Sequence, residues 1–234
     1  MIEMLRNLLE RGKKVNIKLL GDSITHGSGG TDYKQDGEEF IKGFRRNTKG
    51  YCWAKLFREY MEEKYNCTVV NNGCSGTTIE YIIENFDILV DKDDDIVICT
   101  IGTNNRHKFF NEVDKKPTRE EISDTFYSNI LKLNKKFTDA NIKVIFVANI
   151  PASKANDYED GENYWRIIQT GTIDALYKKA QKECGFAFIS LYDLFLEYCE
   201  KENIFFETLL RDGLHPNDDG YKVMFELLVK EMGV

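Results

Sequence analysis

Five short apolar runs punctuate the chain, at 17–20, 67–70, 96–101, 142–148 and 186–189. They are rich in β-branched or aromatic residues and alternate little, which is the pattern of strands buried on both faces. Amphipathic stretches lie between them. Trp53, Leu56, Phe57, Tyr60 and Met61 follow the i, i+3, i+4, i+7, i+8 stripe of a helix. Ile122, Phe126, Ile130, Leu133 and Phe137 form a second stripe, behind the helix-start signal Pro117, Thr118, Glu120 and Glu121. Further helices are predicted over 164–183 and 220–231, and Ile2, Leu5, Leu8 and Leu9 mark one at the N-terminus.

Strand and helix in alternation predict a parallel sheet of about five strands with helices on both faces. The expected fold is therefore α/β, a flavodoxin-like three-layer α/β/α sandwich. No repeat and no Pro/Gly/Ser-rich linker divides the sequence, so a single domain over 1–234 is expected. In such folds the functional crevice lies at the carboxyl ends of the strands.

Composition narrows the partners. The 234 residues carry 32 basic and 39 acidic side chains, a net charge of −7. That balance gives no general attraction to nucleic acid or to an anionic membrane. No apolar stretch approaches the length of a membrane span. The N-terminal segment lacks the apolar core of a signal peptide, which makes the cytoplasm the expected setting. Six cysteines show neither C-x-x-C nor zinc-site spacing and read as reduced, mostly buried thiols.

Chemistry-bearing residues gather after the runs. Gly21-Asp22-Ser23 follows the first, where a serine can present its hydroxyl at a helix N-terminus that favours developing negative charge. An ordinary helix cap would look the same. Asn71-Asn72-Gly73-Cys74-Ser75-Gly76-Thr77 follows the second, as a turn or as backbone open to a ligand. Gly102-Thr103-Asn104-Asn105 follows the third and brings an amide donor of the kind that stabilises an oxyanion. Near the C-terminus, Asp212-Gly213-Leu214-His215-Pro216 places a carboxylate and an imidazole within one turn, the orienting half of a serine triad or merely a capped surface loop.

Taken together, in this order, the four blocks resemble the SGNH (GDSL-type) hydrolases from about Lys18 to the last helix. The resemblance implies that Ser23 is the nucleophile, His215 the general base and acid, and Asp212 its orienting partner. It implies an oxyanion hole of the Ser23 and Gly76 amides and the Asn104 side chain, with Gly73 the weaker glycine. Neither metal nor cofactor is implied. One departure stands out: Asn105 occupies a position where the family commonly has Asp.

The remaining histidines, His26 and His107, fall three residues after Ser23 and Asn104 and read as pocket-lining candidates, along with Thr77 and Asn105. Asp22 reads as a turn carboxylate outside the triad. Three long polar connections, 26–50, 106–117 and 151–163, are expected to select substrate, the last leading into Tyr164 and Trp165. A polar, aromatic-edged pocket favours a small O-acyl ester, an O-acetylated carbohydrate first. The alternatives are a thioesterase or lysophospholipase-like acylhydrolase, an acetyltransferase, and a catalytically silent module that binds carbohydrate or protein.

Overall fold

Each apolar run becomes a strand within two residues of its expected bounds. A computed structural model describes residues 3–33, 50–106, 117–157 and 166–234, with the backbone of 39–41 and 44–46. Helix α1 (Glu3–Leu9) leads into β1 (Val15–Gly21), which the one-turn α2 (Ser23–His26) follows at once. A hairpin of β2 (Glu39–Ile41) and β3 (Phe44–Arg46) comes next, then α3 (Trp53–Lys64) and β4 (Cys67–Asn71). Helices α4 (Ile79–Glu84) and α5 (Phe86–Leu89) precede β5 (Ile96–Thr100), whose exit is a 3-10 turn, Thr103–Arg106. The chain continues through α6 (Arg119–Asp139), β6 (Lys143–Ala148), α7 (Lys154–Asp157), α8 (Thr170–Cys184) and β7 (Ala187–Ser190). It then passes through α9 (Leu191–Glu202), a 3-10 turn Phe206–Leu209 and α10 (Asp218–Met232).

Strands β4, β1, β5, β6 and β7 lie side by side in that order, all parallel. This is the flavodoxin-like order, in which the connections reverse direction between β1 and β5. The apolar residues of each strand alternate between two cores. Ile96 and Ile98 face α1, α3, α9 and α10, whereas Val97 and Cys99 face α4, α5, α6 and α8. Each strand is sandwiched, which explains why its sequence reads as a continuous apolar run. Register sets Gly21 opposite Thr100, so β1 and β5 release their loops at the same level.

Some expectations shift. The helix expected from 164 begins only at Thr170, because the Ile167 and Ile168 amides leave the helical path to donate to Arg106 O, at 2.6 and 3.2 Å. Helix α9 was not evident from periodicity, since it starts directly where β7 stops. The Asp91–Asp95 segment, which its charge would make a solvated turn, instead receives a buried lysine. Lys18, 1% exposed in the middle of β1, donates to Asp91 at 2.7 Å and lies 3.5 Å from Asp94. Asp95 accepts the Asn16 amide at 2.8 Å. Among the described residues no helix is long and apolar enough to cross a membrane. All six cysteines are free, four of them buried.

Candidate active site

The turn after β1 is built by its own sequence. Asp22 caps α2, its side chain accepting the Ile24 amide at 3.0 Å, and Gly27 ends the turn at φ +107. Gly21 is glycine for want of space: a methyl there would sit 2.1 Å from Thr25 Oγ1 and 2.7 Å from the Thr100 carbonyl. The turn packs over β1, and Ser23, its first residue, is 8% exposed.

His215 arrives from the far end of the chain. Its Nε2 is 2.9 Å from Ser23 Oγ, and its Nδ1 is 2.7 Å from Asp212 Oδ2. The other Asp212 oxygen accepts the Leu214 and His215 amides at 3.0 and 2.8 Å. Burial pushes the Asp212 carboxyl up, but the bonds from the His215 ring and from these two amides outweigh it and hold the carboxyl below its usual range. An ionised Asp212 fixes the proton of His215 on Nδ1 and leaves Nε2 to accept from the serine. The loop is held from both sides. Asn156 Nδ2 donates to Asp212 O at 2.9 Å, the Ser153 amide donates to Gly213 O at 2.7 Å, and Tyr221 donates to Ser28 O at 2.6 Å.

The glycine loop after β4 closes against this turn. The Cys74 amide donates to Gly21 O at 3.0 Å, and Ser75 Oγ lies 2.9 Å from His26 Nδ1. Gly73 and Gly76 now part company. The Gly73 amide is engaged by Asn71 Oδ1 at 2.8 Å. The Gly76 amide donates no hydrogen bond among the described residues, and neither does that of Ser23. Asn104 donates through Nδ2 to the Thr77 carbonyl at 2.9 Å, which ties the 3-10 turn to the residue after Gly76 and leaves a second N–H on the same amide. The arrangement thus combines a serine hydroxyl, an imidazole oriented by a carboxylate, and the N–H groups of Ser23, Gly76 and Asn104 on adjoining elements.

The other expected site residues separate. His26 is 2% exposed and bonded to Ser75, while the Thr77 and Asn105 side chains are buried. Asn105 Oδ1 accepts the Ile79 amide and its Nδ2 donates to Glu80 Oε2 at 2.7 Å, so this side chain ties the 3-10 turn to the first turn of α4. His107, Tyr164 and Trp165 lie outside the described residues.

Structure also brings in residues that spacing did not flag. Asn149, directly after β6, donates to Asp22 Oδ2 at 3.0 Å and to Thr103 Oγ1 at 2.7 Å, joining the serine turn to the 3-10 turn. It stands at a strand end, and the rule that singled out Ser23 and Asn104 would have found it. Arg106, 1% exposed, donates to Thr103 O, Asn156 O and, at 2.6 Å, Asp157 Oδ1. No local sequence signal marks that pairing, whose partners lie 51 positions apart. Asp22 itself is fully buried, and desolvation raises its carboxyl despite the Ile24 amide and Thr103. Among the described residues no cluster of His, Cys, Asp or Glu could hold a metal ion.

A serine and a histidine at the carboxyl edge of a doubly wound parallel sheet, with amide donors beside them, define the class: a serine hydrolase. Residues 19–223 match the GDSL-like lipase/acylhydrolase family, and the chain belongs to it. No curated protein matches. Among solved structures, the fold is similar to an α/β hydrolase from the metagenome of Lake Arreo, Spain, at TM-score 0.68 and 18% identity, covering 94% of this chain and 95% of that one. It is also similar to an acetylxylan esterase from Geobacillus stearothermophilus, at TM-score 0.63 and 18% identity over 94% of both chains. A lipase/acylhydrolase from Enterococcus faecalis aligns at TM-score 0.61 and 18% identity, over 93% of this chain and 95% of its own.

Proposed function

We propose that this acylhydrolase removes small O-acyl groups, acetyl first, from a carbohydrate ester. The observation that carries the reading is the Ser23 Oγ, His215 Nε2 and His215 Nδ1, Asp212 relay at 2.9 and 2.7 Å. His215 takes the Ser23 proton as Oγ bonds to the ester carbonyl carbon. The Ser23 and Gly76 amides and Asn104 Nδ2 hold the oxyanion of the tetrahedral adduct. His215 then gives its proton to the departing alkoxide, which leaves as the alcohol and an acyl-serine. Water, deprotonated by His215, attacks that ester and releases the carboxylic acid and the free serine.

The preference for a polar alcohol draws support from the polar side chains of Ser28 and Asn104 beside the serine turn. The likeness in fold to an acetylxylan esterase agrees with it. Hydrolysis of p-nitrophenyl acetate, butyrate and octanoate, with acetate release from peracetylated xylose, tests the proposal. Acetate esters are expected to be cleaved fastest, and Ser23→Ala to lose at least about 10³-fold in kcat. A wild-type chain that cleaves none of these and is not labelled at Ser23 by a fluorophosphonate would refute the esterase. A preference for octanoate would overturn the small-acyl reading alone.

A further inference from the structure

An oxyanion donor works only if it is aimed before the charge appears. Gly76 is poorly placed to hold its own aim. It is exposed, its φ is +82, and a Cβ built on it would meet nothing within 4 Å. With no side chain, Gly76 does nothing by its own bulk to fix the plane of the Ser75–Gly76 peptide. Neighbouring bonds fix the residues on either side. Cys74 N is tied to Gly21 O, and Thr77 is tied through its amide to Cys74 O and through its carbonyl to Asn104. The only described bond to the peptide between them is a long contact from Cys74 Sγ to Ser75 O, at 3.8 Å.

The restraint lies in the Ser75 side chain. Its Oγ, His26 Nδ1 and Tyr33 Oη form a triangle with edges of 2.9, 3.0 and 3.2 Å, and Ser28 Oγ stands 3.4 Å from Ser75. The His26 ring is buried and packs edge-on against Tyr33 at 5.4 Å between centroids. His26 is the last residue of α2 and Ser23 the first, so the anchor and the nucleophilic hydroxyl belong to one helical turn. We propose that His26, Tyr33 and Ser75 are positioning residues that fix the Ser75–Gly76 peptide plane and aim the Gly76 amide at the oxyanion formed on Ser23. This rests on Ser23 and Gly76 having the roles proposed above. It gives His26 work away from the substrate and accounts for a buried imidazole bonded to Ser75 and Tyr33 on the same helical turn as Ser23.

Ser75→Ala tests it by removing one oxygen from a half-buried side chain. Activity is measured per site titrated with a fluorophosphonate, so unfolded protein does not count. The expected result is a fall in kcat of about 10- to 100-fold, part of what one oxyanion donor is worth, with KM within about twofold. Inhibition by an alkylboronic acid, whose tetrahedral adduct carries the oxyanion, should weaken by the same factor. His26→Ala should match Ser75→Ala, the double variant should be no worse than either, and His26→Asn should recover most of the loss. If His26→Ala does not fold, Ser75→Ala and His26→Asn carry the test. Unchanged kcat per titrated site in Ser75→Ala, or a loss confined to KM, overturns the positioning role while leaving the esterase intact. An unlabelled, inactive wild type overturns both.

Discussion

Asn105 Nδ2 donates a hydrogen bond to Glu80 Oε2 at 2.7 Å while its Oδ1 accepts the Ile79 amide at 3.0 Å. The second Glu80 oxygen takes Asn129 Nδ2 at 2.9 Å. An aspartate at 105 could keep the bond from Ile79, but it would face a carboxylate that needs a donor. The replacement of the family's usual Asp is therefore matched by Glu80.

Asn105→Asp should accordingly destabilise the chain by about 1–3 kcal/mol, the cost of unpairing a buried polar contact. Glu80→Gln in the same chain should restore most of it, since Gln supplies the missing donor. Urea unfolding of both single variants and the double variant at pH 7.5 measures the coupling.

The charge of Asp212 should survive into acid. Its carboxyl is held below the usual range by the bonds from the His215 ring and from the Leu214 and His215 amides. Log kcat/KM for an acetate ester, followed from neutral pH downward, should show no loss from protonation of Asp212 within the ordinary carboxylate range. Asp212→Asn keeps the loop's shape but reverses the favoured tautomer of His215, and should cost about 10³–10⁴-fold in kcat.

Arg106 and Asp157 form an ion pair in which the arginine is almost wholly buried, and Asp157 also accepts the Thr170 amide and hydroxyl at 2.8 and 2.7 Å. Asp157→Ala strands the guanidinium and should cost about 3–5 kcal/mol. Arg106→Met/Asp157→Ala should cost less than Asp157→Ala alone. Denaturant unfolding separates the two outcomes.

Asp94 gives stability a pH dependence. Burial raises its carboxyl from 3.8 to about 6, against the opposing pull of Lys18. Between those values the folded chain keeps a proton that the unfolded chain releases, so its contribution is full below the lower pH and lost as pH rises through about 6. Relative to Asp94→Asn, the wild type should lose about 2–3 kcal/mol between pH 3.5 and 7.5. Unfolding titrations of both chains at the two pH values check this.

The sheet was readable because burial on both faces leaves strands such as Ile96–Thr100 apolar up to their last residue. Ser23, Asn104 and the Asp212–His215 pair were readable because each stands at a strand end or within one turn. What pattern did not convey depends on contacts across the chain. Lys18 reads as a polar interruption of a strand, yet it is buried because Asp91 and Asp94, far away in sequence, come to meet it. His26 reads as a pocket-lining residue until Tyr33 and Ser75 are seen around its ring. Gly73 already ranked below Gly76 in the sequence, but the bond that occupies its amide, from Asn71 Oδ1, is visible only in the structure.

Ser23 and His215 stand 192 positions apart. On the roles proposed for Ser23 and His215, a ribosome making this chain would expose the serine long before the imidazole exists, so the nascent chain would carry a hydroxyl with no base to activate it. Reactivity would switch on only when the segment around His215 docks, guided by bonds such as Tyr221 to Ser28 and Thr31 to Asp218. Labelling of Ser23 during synthesis would therefore serve as a clock for completion of the fold.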